Sequence, residues 1–130
     1  MRQVERARAL LGVPWEHQGR NINIAIDCIG LLVYAFEIDA PIPTYSRDPV
    51  ATELEDAMRD HFGPPIPLEN MRPGDAVIVG FGKCLRHVGI VGDDIYGGLS
   101  LIHTDSIVKK VVEHPIDGKW KARIREAYRR

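Results

Sequence analysis

Nine consecutive residues without a charged or amide side chain, Cys28-Ile29-Gly30-Leu31-Leu32-Val33-Tyr34-Ala35-Phe36, constrain this chain more than any other feature. The run is longer than a typical strand of about 5–6 residues. Apolar on every side, it reads as a helix buried in a core. Asp27 precedes it and is a good N-cap type, because its carboxylate can accept from the orphan N–H groups of the first turn. Cys28 then falls in that first turn.

Around this helix the chain divides at its Pro and Gly clusters into a helix-rich first part and a strand-rich second part. Residues 4–11 predict a helix, with Val4, Ala7, Leu10 and Leu11 on one face and Gly12 and Pro14 ending it. Residues 15–26 read as a polar loop. Prolines at alternate positions keep 40–45 out of a helix, and a further helix is expected over about 49–62, with Asp48 as cap and Pro49 in its first position. After Arg72-Pro73-Gly74-Asp75, short β-like runs follow at 76–81, 87–91, 99–103 and 107–112, separated by Gly and Asp turns. A helical end is expected over 120–128. Helices first and an antiparallel meander afterwards is an α+β architecture.

The length of 130 residues fits one domain over 1–130. Seventeen basic and 18 acidic side chains leave a net charge of −1, so nothing draws the chain to nucleic acid or to anionic lipid. No stretch approaches the roughly 20 apolar residues of a membrane span. The N-terminus lacks the apolar core of a signal peptide, so synthesis in the cytoplasm is expected. No cofactor is implied. Two cysteines do not make a disulfide framework.

A cysteine with histidines elsewhere in the chain is instead a candidate nucleophile. A thiol is activated when a helix N-terminus and a nearby imidazolium favour its thiolate, and Cys28 has the first of these. His87 opens the run His87-Val88-Gly89-Ile90-Val91, and alternation puts His87, Gly89 and Val91 on one face of a strand. Gly89 leaves room beside the histidine for a substrate or for the nucleophile helix. If 87–91 and 99–103 pair as a hairpin, His103 comes near His87 and can bond its far nitrogen, fixing its tautomer. Cys28, His87 and His103 thus form a candidate triad.

Asp27-Cys28-Ile29-Gly30-Leu31-Leu32 resembles the Asp-Cys-Ser-Gly-Phe/Leu-Val signature of the NlpC-type cell-wall endopeptidases. Leu11-Gly12-Val13-Pro14-Trp15 resembles that family's Leu-Gly-x-Pro-Tyr lead-in. Arg72-Pro73-Gly74-Asp75-Ala76-Val77 is similar to its x-Pro-Gly-Asp-Leu-Val, and His87-Val88-Gly89-Ile90-Val91-Gly92 to its His-Val-Gly-Ile-Tyr-Leu-Gly. Ile102-His103 resembles the later Ile/Val-His pair. The resemblance implies a papain-like fold, Cys28 as nucleophile, His87 as base and His103 as the orienting residue. The implied substrate is a peptide bond beside a D-amino acid in a peptidoglycan stem peptide.

The segment Pro14-Trp15-Glu16-His17-Gln18-Gly19-Arg20 resembles in particular the versions in phage and gene-transfer-particle tails. This implies a virion component at a tail tip, with other tail-tip or hub proteins as partners, acting in the periplasm or cell wall. Two departures from the family pattern stand out: Trp15 replaces a tyrosine and Ile29 a serine. Oxyanion stabilisation then falls to the Cys28 N–H and a second donor, for which His17 and Gln18 are candidates.

Plainer readings stand beside these. Cys28 alone reads as a small buried hydrophobe, and Cys84 as an incidental thiol. His17, His61 and His114 read as rim or surface residues. Asp75 reads as a turn organiser, Asp27 as a cap first and a substrate contact second. Trp15 and Trp120 fit a substrate groove and the packing of the two halves equally well. Zinc held by Cys28, His87 and His103 is the competing chemistry, since all three are legal ligands. A structural tail-hub subunit with little activity, and a papain-like amidase or acyltransferase, are the competing functions.

Overall fold

The computed structural model describes residues 2–14, 20–21, 25–26, 28–38, 53–81, 85–105 and 108–130; at 20–21, 25–26, 53, 81, 85–87 and 105 it describes the backbone. Helix α1 (Arg2–Ala9) buries Val4 and Ala7, and Leu10 continues the same stripe just beyond its end. Gly12 follows with φ 90°, a conformation in which a side chain would be strained. That turn lets Gly12 donate to the Val111 carbonyl at 2.9 Å, and Val111 donates back to Val13 at 2.9 Å. The residues after α1 are thereby tied to the edge of the sheet.

Two short antiparallel strands, β1 (Arg20–Asn21) and β2 (Ala25–Ile26), occupy part of the segment expected as loop. The apolar run forms α2 (Cys28–Phe36), with Cys28, Ile29, Gly30, Leu31, Leu32 and Ala35 buried. It packs between α1 on one side and the main sheet on the other, which explains why it needs no polar face. Helix α3 (Glu53–Phe62) supplies Leu54, Met58 and Phe62 to the same core. Gly63, at φ 82°, ends it by donating to the Arg59 carbonyl. The expected cap at Asp48 and first turn at Pro49 lie outside the described residues, as do 40–45.

A 3-10 turn (Leu68–Asn70) leads to the sheet. Its strands are β3 (Ala76–Phe81), β4 (Leu85–Asp93), β5 (Leu99–Asp105), β6 (Lys110–Pro115) and β7 (Ile124–Tyr128), all antiparallel, in the order β6-β5-β4-β3-β7. A short helix α4 (Gly118–Lys121) precedes β7, and its cap Asp117 accepts from the Trp120 N–H at 2.9 Å. Alternation divides the sheet cleanly. Ala76, Ile78, Val88, Ile90 and Ile102 face α1, α2 and α3, whereas Val77, Val79, Val91, Leu101, Ile124 and Ala127 form a second cluster on the other face.

Two expectations are corrected here. The chain end over 124–128 is a strand, not a helix. Its composition of Arg, Glu and Ala suits a helix, but pairing with the otherwise open edge of β3 overrides that weak preference. The fourth meander strand runs over Lys110–Pro115 rather than 107–112, because β5 continues to Asp105 and Lys109 turns with φ 65°.

Polar ties fasten helices to this sheet. Asp75, expected to organise a turn, does more: buried, it accepts from the Arg72 N–H and from two Arg129 nitrogens, each at 2.9 Å. Arg8 of α1 donates to Glu113 at 3.0 and 2.8 Å and to Asp93 at 3.0 Å, and Ser100 donates to Glu113 at 2.7 Å. Burial pushes the Glu113 carboxyl up, but the hydrogen bonds from Arg8 and Ser100 and the Arg8 charge outweigh it and hold it below the ordinary 4.5. A carboxyl lowered in the folded state contributes stability above its unfolded pKa and loses it as pH falls through the folded value. The parent protein should therefore lose thermal stability on acidification below about pH 4.5, the ordinary value for Glu113. Arg8→Met should be about 1–2 kcal/mol less stable at pH 7 and show a flatter decline in acid, read from melting temperatures against pH.

Candidate active site

Cys28 opens α2 and is only 3% exposed, packed in the core between that helix and the sheet. Backbone N–H groups of a first helical turn have no intrahelical acceptor, so they and the helix dipole favour an anion there. The expected cap at Asp27 lies outside the described residues, as do Trp15, His17 and Gln18.

Helix α2 packs on β4 and β5, the strands that carry the two histidines. His87 sits on β4 with its backbone opposite Val79 of β3. His103 sits on β5 opposite Val112 of β6 and is 1% exposed. The β4–β5 register runs through Ile90↔Ile102 and Val91↔Leu101, so its continuation sets Gly89 opposite His103. The two meet closely: a Cβ on Gly89 would lie 3.3 Å from the His103 Cβ. His87 is two residues from Gly89, on the same parity. The two histidine positions are thus diagonal neighbours on adjacent strands and one face, the spacing at which cross-strand side chains interact. The expected hairpin is present, but Gly89 leaves no open space for a substrate or for α2: the Leu101 side chain, the Ile102 carbonyl and His103 of β5 fill it.

The described contacts of the His103 ring lead away from α2. Its Nε2 lies 2.8 Å from the Nε2 of His114, with the rings edge-on at 4.9 Å. Trp120 packs against both, 5.1 Å from the His103 ring and 4.5 Å from that of His114. Arg123 stands over the indole at 4.9 Å. The cluster lies on the face of the sheet that carries Leu101 and Val91, whereas Cys28 is buried from the helix side. The sheet therefore brings the His87 and His103 positions together, and α2 delivers Cys28 to the same pair of strands from their other side.

His114, expected at the surface, is half-buried in this cluster. Leu101 pairs with His114 while His103 pairs with Val112, so the two rings are diagonal neighbours across β5 and β6. The signal that could have found it was parity: once β6 is placed at Lys110–Pro115, His114 falls on the face of His103. Trp120, expected either in a groove or packing the two halves together, does not lie between the halves: it packs against His103 and His114 on the sheet face away from the helices.

A sequence model of the NlpC/P60 family matches residues 12–129, nearly the whole chain. The chain belongs to the NlpC/P60 family. No curated protein matches it closely. Solved structures place its fold in the same group. The NlpC/p60 domain of the peptidoglycan hydrolase SagA aligns with TM-score 0.66 and 21% identity, over 99% of this chain and 97% of that one. The peptidoglycan hydrolase RipB from Mycobacterium tuberculosis aligns with TM-score 0.63 and 22% identity, over 98% of this chain and 62% of that one. A lipoprotein-like NLP/P60 protein from Staphylococcus aureus subsp. aureus Mu50 gives TM-score 0.67 at 16% identity. There the alignment takes in 98% of this chain and only 40% of the other, so the chain spans less than half of that relative's length. This NlpC/P60 chain thus has the α+β, papain-like arrangement expected from its motifs.

Proposed function

We propose that the chain is a cysteine endopeptidase that hydrolyses peptide bonds in the stem peptides of peptidoglycan. Cys28 is the nucleophile, His87 the general base and His103 the residue that orients it. The observation that carries this reading is the match of the NlpC/P60 family model to residues 12–129, the span that holds Cys28, His87 and His103. The His87 and His103 positions are also diagonal neighbours on β4 and β5. Membership of a family whose structural relatives include the peptidoglycan hydrolases SagA and RipB supports the substrate class.

In this mechanism His87 takes the Cys28 proton, and the thiolate sulfur attacks the carbonyl carbon of the scissile amide. The negative charge that develops on the carbonyl oxygen is met by the Cys28 N–H at the start of α2 and by a second donor, for which His17 and Gln18 are the candidates. Collapse breaks the C–N bond, and the histidine returns its proton to the leaving amine. A water molecule, deprotonated by the same histidine, then hydrolyses the thioester and regenerates the thiol. Asp27, next to Cys28 in the sequence, and Trp15 of the lead-in motif are the candidates for contacts to the stem peptide.

The finer setting, a phage tail tip acting in the periplasm or cell wall beside other tail proteins, rests on the resemblance of residues 14–20 alone. The chemistry does not depend on it. Incubating the purified protein with peptidoglycan fragments and following products by mass spectrometry tests the proposal. New stem-peptide fragments with a free carboxylate at the cut are expected. Release of other amides or esters without stem-peptide cleavage would move the assignment to an amidase or acyltransferase, and no turnover by a folded, reduced protein would leave the fold as a structural subunit.

A further inference from the structure

The His103–His114 pair carries more information than a contact. His114 Nδ1 lies 3.0 Å from the Pro115 carbonyl oxygen, which can only accept, so Nδ1 carries the proton and donates. A neutral imidazole has one donor and one acceptor nitrogen, which makes His114 Nε2 the acceptor. That atom is 2.8 Å from His103 Nε2. His103 Nε2 must then be the donor, and its Nδ1 bears the lone pair.

We propose that His114 is a positioning residue: through the Pro115 carbonyl and its own ring it fixes His103 as the Nε2–H tautomer, so that the buried His103 Nδ1 is left as the acceptor available to His87 in the proposed triad. This rests on the reading of Cys28, His87 and His103 as the triad. An orienting residue must accept from the base's outer nitrogen, and a neutral histidine does so only in the correct tautomer. An aspartate accepts in any state, so a histidine in this role needs a partner of its own. His114 is that partner, and its ring is kept in place by Trp120, which α4 anchors through the Asp117 cap. With His103 1% exposed, water is a poor substitute at Nε2.

Two variants separate the hydrogen bond from the packing. His114→Phe keeps a ring against Trp120 but has no acceptor. His114→Gln places an amide oxygen near the former Nε2 and restores one. Ring-nitrogen NMR of the full chain labelled with ¹⁵N-histidine, at pH 8, reads the His103 tautomer directly. Steady-state kinetics on a peptidoglycan stem peptide gives kcat and KM. His103 in the parent should show a protonated Nε2 and a bare Nδ1. His114→Phe should lose that pure tautomer and about 10–100-fold in kcat with little change in KM, the usual cost of removing a supporting hydrogen-bond partner. His114→Gln should recover both.

A parent His103 protonated at Nδ1, or a folded His114→Phe protein with unchanged tautomer and kcat, overturns the proposal. If His114→Phe fails to fold, the parent spectrum and the Gln variant decide in the same way. A parent that hydrolyses nothing sinks the triad and the catalytic half of the proposal with it, whereas the spectrum still decides whether His114 sets the His103 tautomer, so the two failures are distinguishable.

Discussion

Cys28→Ala is expected to lower turnover of stem peptides by at least about 10⁴-fold while the protein stays folded, because residues that act as one catalytic unit fail together when the nucleophile is lost. Alanine has no group that can attack a carbonyl, and nothing else in the proposed mechanism substitutes for the sulfur. The structural cost is small by comparison. Cys28 is buried in the core, so removing one sulfur leaves a gap worth about 1 kcal/mol, and α2 retains its other buried residues. Circular dichroism and the melting temperature check the second statement, and product formation over time checks the first. His87→Ala should fall by a similar factor, since an unassisted thiol is a poor nucleophile near neutrality. A folded Cys28→Ala protein that still cleaves stem peptides would remove Cys28 from the chemistry and return it to the role of a small core residue.

The parts of the fold that were legible in the sequence are those whose signal is local. The apolar run after Asp27 announced α2 from Cys28 to Phe36, and β3 at Ala76–Phe81 follows a short apolar run rich in β-branched residues. The β4–β5 hairpin, and with it the nearness of His87 and His103, could be read because both runs end in turn residues and carry one histidine each. What was not legible depends on partners distant in the chain. Residues 124–128 become β7 only because β3 offers an open edge for Ile124, Ala127 and Tyr128 to cover, and no local pattern shows that edge. Glu126 and Arg125 look like a helix surface in isolation. In the fold Glu126 accepts from Arg59 of α3 at 2.9 Å and from the Tyr128 hydroxyl at 2.8 Å. Burial and the bond to Glu126 then push the Tyr128 phenol well above its ordinary range. His114 was hidden for a related reason. Its place depends on where β6 starts, and a shift of one residue moves every side chain of a strand to the other face.

Gly89→Ala should damage both stability and catalysis, and the two losses have one origin. An added Cβ would lie 2.7 Å from Leu101 Cδ1, 3.1 Å from the Ile102 carbonyl oxygen and 3.3 Å from His103 Cβ. The Leu101 methyl is the tip of a flexible side chain and can turn aside. The Ile102 oxygen belongs to the neighbouring strand and moves only if β4 and β5 separate. His103 is held from the far side by His114, so displacing its Cβ drags the ring against a fixed hydrogen bond. Overpacking of this kind costs about 1–3 kcal/mol. A displacement approaching 1 Å in an orienting residue costs about 10²-fold in rate. Urea unfolding and kcat/KM on a stem peptide measure the pair of effects. Gly118→Ala is the matched control, because an added Cβ there meets nothing within 4 Å, and it should change stability by less than about 0.5 kcal/mol. If Gly89→Ala matched the parent in both measurements, β4 would have slack at this position, and His103 would not be held against it tightly enough to orient His87. If stability fell while kcat/KM held, Gly89 would be a packing glycine alone, and its close approach to His103 would have no part in the chemistry.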